Sequence, residues 1–254
     1  MDCARRWPYS ELGLYPSHEK IVNDNDVTMT IHSTIGLFGG TFDPIHFGHL
    51  RMALESKLAL ALDEMRLMPC HIPPHRQSPR LGSEQRSKLL ELALADCDEL
   101  QLEYCELQRL NPSYTVDSIS WLRQQGLQGN SITLLMGMDA FANITQWHQW
   151  WRLRELAHIA IITRPGFQQP LQKPLKQWLA AADETAIIHQ KPAGGIILLQ
   201  QRLLDISATD IRMQLACGQS PRYLLPEKVL AYIESNDLYR SKVNSCLKTY
   251  AENL

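Results

Sequence analysis

The sequence predicts an α/β protein built on one doubly wound parallel sheet with helices on both faces. Two observations carry this. Short apolar runs alternate with helix-period segments from residue 31 onward, which is the pattern of strands joined by crossover helices. The chain's 254 residues, 44% of them hydrophobic, are enough for one substantial core.

The elements follow in order. TIGLF (34–38) reads as a strand and FGHLRMALESKLALAL (47–62) as a helix, then MRLMP (65–69) as a second strand. SEQRSKLLELALADC (83–97) reads as a helix with Ser83 as its cap. LQLEY (100–104) is a strand, and YTVDSISWLRQQG (114–126) a helix closed by Gly126. SITLLMG (131–137) and HIAIIT (158–163) are strands, with WHQWWRLREL (147–156) as a helix between them. Right-handed crossovers then place the connecting loops at the strand carboxyl ends. In ISATDIRMQLACG (206–218), Ser207 and Asp210 have capping-box spacing and Gly218 ends the helix; Pro226 suits the first turn of another, in LPEKVLAYIES (225–235).

Residues 31–240 are expected to form one domain. Residues 1–30 show no sustained period and read as a loose extension; Met29, just before the first strand, is one candidate for the natural start. Residues 241–254 read as a tail without a role. A net charge of −2 gives no broad affinity for nucleic acid. The six cysteines are scattered without a Cys-x-x-Cys pair, so reduced thiols and a cytoplasmic location are expected. No apolar run approaches the ~18 residues of a membrane span, and the first residues lack the apolar centre of a signal peptide.

The chemistry concentrates in GLFGGTFDPIHFGH, residues 36–49, at the end of the first strand. Gly39 and Gly40 permit backbone angles and close approach that a Cβ would forbid, and the helix that follows offers unpaired N–H donors with a partial positive charge. His46 and His49, three apart at that helix start, lie on one face and can both donate to a phosphate oxygen. Taken singly, the glycines read as a tight turn and the histidines as exposed helix residues. Zinc usually takes a spacing of four with a nearby Glu, so a protein-held metal is not expected. G-x-x-x-x-G-K-[ST] and G-x-G-x-x-G are both missing, so a nucleotide must be held in another way.

GGTFDPIHFGH resembles the signature of the nucleotidylyltransferase superfamily, its H-x-G-H being His46 to His49. ISATDIR (206–212) is similar to that superfamily's second motif. IPPHR (72–76), PSYTVD (112–117), Gly137-Met138-Asp139, TQWHQW (145–150) and TRPG (163–166) resemble internal motifs of the bacterial nicotinate-nucleotide adenylyltransferase family. The resemblance spans residues 34–240. It implies a Rossmann-like fold, transfer of AMP from ATP to nicotinate mononucleotide, and Mg²⁺ arriving with ATP.

By the same resemblance, Gly39, Gly40, Thr41 and Phe42 hold phosphate, with backbone N–H groups from the last three. His46 and His49 contact the ATP phosphates as the catalytic pair. Gly137 and Asp139 bind the nucleotide, and Ser207, Thr209 and Arg212 hold its β and γ groups. Thr115, Trp147 and His148 lie beside the nicotinate; His75, Arg76 and Arg164 reach the substrate. Bland alternatives stand beside several of these. His75 and Arg76 read equally as surface-loop chemistry, Asp139 as a helix cap and Arg164 as an exposed charge. Trp147, Trp150 and Trp151 have the spacing of a core-facing helix, and Trp150 or Trp151 is expected in the core. Ala208 stands where family members often have Ser. Nicotinamide mononucleotide or phosphopantetheine as acceptor, or a nucleotide sensor without turnover, are the rival functions. A homo-oligomer is compatible with the sequence.

Overall fold

The computed structural model describes residues 31, 33–71, 79–108, 114–163 and 170–240. The expected extension at 1–30, with Met29, and the tail at 241–254 lie outside the described residues.

Six strands form one parallel sheet: β1 (Thr34–Gly40), β2 (Glu64–Pro69), β3 (Gln101–Leu102), β4 (Ser131–Gly137), β5 (His158–Thr163) and β6 (Ile196–Gln200). Their spatial order is β3-β2-β1-β4-β5-β6. The helices are α1 (Phe47–Ala59), α2 (Ser83–Leu94), α3 (Thr115–Leu122), α4 (Met138–Ala142), α5 (Leu153–Leu156), α6 (Lys173–Ala180), α7 (Ala208–Ala216) and α8 (Glu227–Ser235).

Alternate residues of each central strand feed opposite faces, so both must be covered. Phe38, Leu67, Leu135 and Ile162 pack with residues of α1, α2, α7 and α8 on one face. Ile35, Leu37, Leu134 and Ile161 pack with residues of α3, α4, α5 and α6 on the other. The doubly wound expectation is met.

Several elements depart from the sequence reading. β6 and α6 were not foreseen. The strand expected at 100–104 pairs only at Gln101–Leu102. The helix expected at 147–156 breaks into a 3₁₀ turn at Trp150–Arg152 and the short α5, because Gln149 before it is left-handed, with φ 46°. Ser83 does not cap α2: Gly82 takes that position, while Ser83 Oγ lies 2.9 Å from His71 Nδ1. Gly126, at φ 107°, closes the segment after α3 as expected, and Pro226 directly precedes α8.

His158 is fully buried at the amino end of β5, where Nε2 donates to Lys191 O (2.8 Å) and Nδ1 accepts from Gly195 N–H (2.9 Å). Burial lowers its pKa, so it is a neutral structural histidine. Cys70, Cys97 and Cys105 are not disulfide-bonded. Cys217 is disulfide-bonded, which corrects the expectation of reduced thiols at that position. Among the described residues no helix is long and apolar enough to cross a membrane.

Candidate active site

The sheet has its switch point between β1 and β4. From β1 the chain crosses through α1 to β2 on one side; from β4 it crosses through α4 and α5 to β5 on the other. The diverging connections leave a crevice at the carboxyl ends of these neighbours, where open α/β sheets bind ligands. Phe38 pairs in register with Leu135, so Gly39-Gly40 and Gly137 end side by side at that crevice.

The two glycines of β1 differ in what they do. Neither is left-handed; the positive φ of this turn belongs to Phe42, at 49°. The expectation that Gly39 and Gly40 supply an unusual backbone angle is therefore corrected. At Gly40 a Cβ would lie 2.8 Å from the Phe42 ring, so glycine is needed for that ring to pack. At Gly39, which is exposed, a Cβ would meet only Met68 Cε at 3.6 Å, an ordinary contact. Among the described residues nothing demands glycine there. Beyond β1, the N–H groups of Thr41 and Phe42 have no hydrogen-bond partner among the described residues. At β4, a Cβ on Gly137 would lie 2.6 Å from Asp139 Oδ1, so Asp139 folds back over the strand end. Gly137 caps α4 without a side-chain bond, so Asp139 is not the cap.

His46 is the N-cap residue of α1, and His49 sits in the first turn. Their rings stack with centroids 3.7 Å apart. Phe42 stands edge-on to His49 at 5.1 Å and Phe38 lies at 6.2 Å, so the pair rests on an aromatic floor. Gly48 permits this: a Cβ there would lie 2.9 Å from His46 Nδ1 and 3.6 Å from Ile206 Cβ. Burial pushes the His46 imidazole down to about 4. His49 falls well below its usual range, through burial first and then its neighbour His46. Both are neutral at pH 7, and among the described residues neither buried Nδ1 has a hydrogen-bond partner.

The second motif meets the first. Ser207 caps α7, its Oγ accepting from Thr209 N–H (3.1 Å) and Asp210 N–H (3.4 Å). Arg212 donates to Asp43 O (2.6 Å) and to Thr209 Oγ1 (3.2 Å), bridging motifs 169 residues apart. Ser207 and Thr209 are exposed, so α7 presents its start to solvent beside the histidine helix. Asp43 is a hub that the sequence reading missed. It is 6% exposed, and its carboxylate accepts from Tyr239 OH (2.6 Å) and Arg80 N–H (2.7 Å).

PSYT and QWHQW also converge. Tyr114 lies over His148, ring centroids 4.5 Å apart, and Thr115 begins α3 directly after it. Trp147 is half-buried beside the second core cluster, whereas His148 is exposed. Trp150 packs on Trp178 at 5.0 Å. Trp151 is 57% exposed, which corrects the alternative that placed it in the core. Tyr114 was missed as a site residue; its place inside the motif with Thr115 was the available signal. His75, Arg76 and Arg164 lie outside the described residues.

Comparison with known proteins shows the family of the chain. Residues 37–214 match the cytidylyltransferase-like family. A protein named as a probable nicotinate-nucleotide adenylyltransferase from Cellvibrio japonicus is 48% identical over 82% of this chain and 99% of its own length. One so named from Aeromonas salmonicida is 42% identical over 83% of this chain and 99% of its own. Among solved structures, nicotinic acid mononucleotide adenylyltransferase from Plasmodium falciparum, complexed with NaAD, superposes with a TM-score of 0.64 at 16% identity. That superposition covers 82% of this chain and 98% of the other, and it supports the Rossmann-like fold. The chain thus belongs to the cytidylyltransferase-like family, among the nicotinate-nucleotide adenylyltransferases.

Proposed function

We propose that this protein transfers AMP from ATP to the phosphate of nicotinate mononucleotide, giving nicotinate adenine dinucleotide and pyrophosphate. The stacked neutral imidazoles at the switch point, in a chain 42–48% identical to proteins named for this activity, carry the reading. An oxygen of the acceptor phosphate forms a bond to the α-phosphorus of ATP. The bond from that phosphorus to the bridging oxygen breaks, and its electron pair leaves with pyrophosphate.

No general base is needed, because a phosphate monoester with its second pKa near ~6 is already mostly a dianion at pH 7. What remains is to hold two polyanions in line and stabilise charge at the α-phosphorus. His46 and His49 supply neutral N–H donors to the ATP phosphates. Gly40, Thr41 and Phe42 add backbone donors, two of which lack a partner among the described residues. Gly39 leaves room above the strand, and Gly137 with Asp139 face the nucleotide from β4. Arg212, Thr209 and Ser207 hold the β and γ groups. Thr115, Trp147 and His148, with Tyr114 behind His148, flank the nicotinate. His75, Arg76 and Arg164 complete the substrate contacts in this proposal.

Mg²⁺ is a hard cation that takes oxygen ligands, and triphosphate and water supply them. In this proposal the ion arrives on ATP, where it would neutralise charge on the leaving pyrophosphate. The same proposal places the enzyme in the cytoplasm, and cell fractionation checks that.

Incubation with Mg-ATP and nicotinate mononucleotide should yield the dinucleotide and pyrophosphate in equal amounts by mass spectrometry. Saturable ATP binding without the dinucleotide would favour a sensor instead.

A further inference from the structure

Arg86, on α2, is the largest fully buried side chain among the described residues, at 1% exposure. A buried guanidinium normally pairs with a carboxylate. Among the described residues none lies within ion-pair distance of this one. It donates instead to four carbonyls: Thr41 (2.6 Å), Cys70 (2.6 Å), Leu81 (3.2 Å) and His71 (3.2 Å). Thr41 follows β1 and Cys70 follows β2, so one rigid fork ties together two strand ends at the candidate active site.

The geometry of a peptide bond gives this contact a consequence. In a trans peptide the C=O and N–H point in opposite directions. Arg86 draws the Thr41 carbonyl inward, so the N–H of the same peptide, that of Phe42, points away from the guanidinium. It is one of the two donors without a partner among the described residues. We infer that Arg86 is a positioning residue: from inside the fold it locks the Thr41–Phe42 peptide with its N–H presented to bound phosphate. This rests on the nucleotide-binding role of the loop.

Arg123 supplies an internal control. It too is a partly buried guanidinium bound to carbonyls, those of Leu127, Asn130, Leu156 and Pro192 at 2.6–3.0 Å, but these lie at the opposite, amino-end edge of β4 and β5. Lysine keeps the charge at either site and cannot span several carbonyls.

Wild-type turnover with nicotinate mononucleotide is measured first, because failure there counts against the assigned reaction and not against Arg86. Binding of α,β-methylene-ATP is then measured for Arg86→Lys and Arg123→Lys, with kcat, KM for ATP and thermal midpoints. Arg86→Lys should weaken analogue binding and kcat/KM for ATP by about tenfold or more. Arg123→Lys should lose thermal stability while staying within about twofold of wild type in both. Equal thermal losses with nucleotide binding and turnover kept in both variants would overturn the assignment. If Arg86→Lys does not fold, amide exchange in wild type decides: the Phe42 N–H should exchange readily alone and become protected with the analogue, and unchanged exchange would overturn the proposal.

Discussion

Gly39→Ala separates the demands of the fold from those of the ligand. The backbone there has no positive φ, the position is exposed, and the new methyl would meet only Met68 Cε at 3.6 Å. Folding stability should therefore stay within about 0.5 kcal/mol of wild type, as at an open surface site, or rise by up to about 1 kcal/mol because alanine narrows the unfolded ensemble. If a nucleotide phosphate passes over this strand end, the same methyl crowds it. Overpacking of that kind costs about 1–3 kcal/mol, or about 5- to 150-fold in kcat/KM for ATP. Gly40→Ala next door is the contrast. Its methyl would lie 2.8 Å from the Phe42 ring, which is buried between Phe38 and His49, so this variant should lose stability as well as activity. Thermal unfolding and pyrophosphate release across an ATP titration read both quantities. A Gly39→Ala protein with normal stability and normal kcat/KM for ATP would refute the placement of nucleotide over β1.

His46→Ala should cost about 2.7–4 kcal/mol of transition-state stabilisation, about a hundred- to a thousandfold in kcat, with circular dichroism unchanged; near-normal turnover would remove His46 from the chemistry. Acid should destabilise the fold through its buried histidines. Unfolding lets His46 bind a proton at the ordinary 6.5 instead of about 4, so its contribution of up to about 3 kcal/mol is complete above pH 6.5 and lost as pH falls toward 4. His49 and His158 act in the same direction, and urea midpoints flat from pH 7.5 to 4.5 would contradict this. Tyr239→Phe leaves one oxygen of buried Asp43 without its donor and should cost about 1–3 kcal/mol in chemical denaturation. Ser207→Gly preserves the cap of α7 to within a few tenths of a kcal/mol while deleting the hydroxyl, so an activity loss at unchanged stability assigns Ser207 to phosphate, and unchanged activity leaves it as a cap alone.

The sequence displays most of this protein because its central strands are buried on both faces. SITLLMG and HIAIIT read as predominantly apolar runs and form β4 and β5 with those bounds. Local chemistry was equally legible where it is self-contained, as in the Ser207 cap and the left-handed Gly126. What stayed hidden depends on distant partners. Asp43 gains its meaning from Arg80, Arg212 and Tyr239, up to 196 residues away, and no local period encodes that. Arg86 did leave a trace: it precedes Leu89 and Leu90 at helical spacing, a charge on the buried stripe of α2. The left-handed Gln149 breaks a helix that periodicity supported, and Trp150 beyond it packs on Trp178.

Acceptor choice is the most direct test of the assigned reaction. Purified protein is incubated with Mg-ATP and, in separate reactions, nicotinate mononucleotide, nicotinamide mononucleotide or phosphopantetheine, and initial pyrophosphate release is measured. The account predicts strong release with the nicotinate compound and far weaker release with the other two. Release with only another acceptor would contradict the assigned substrate while keeping the phosphate chemistry, and release with none would contradict the enzyme itself.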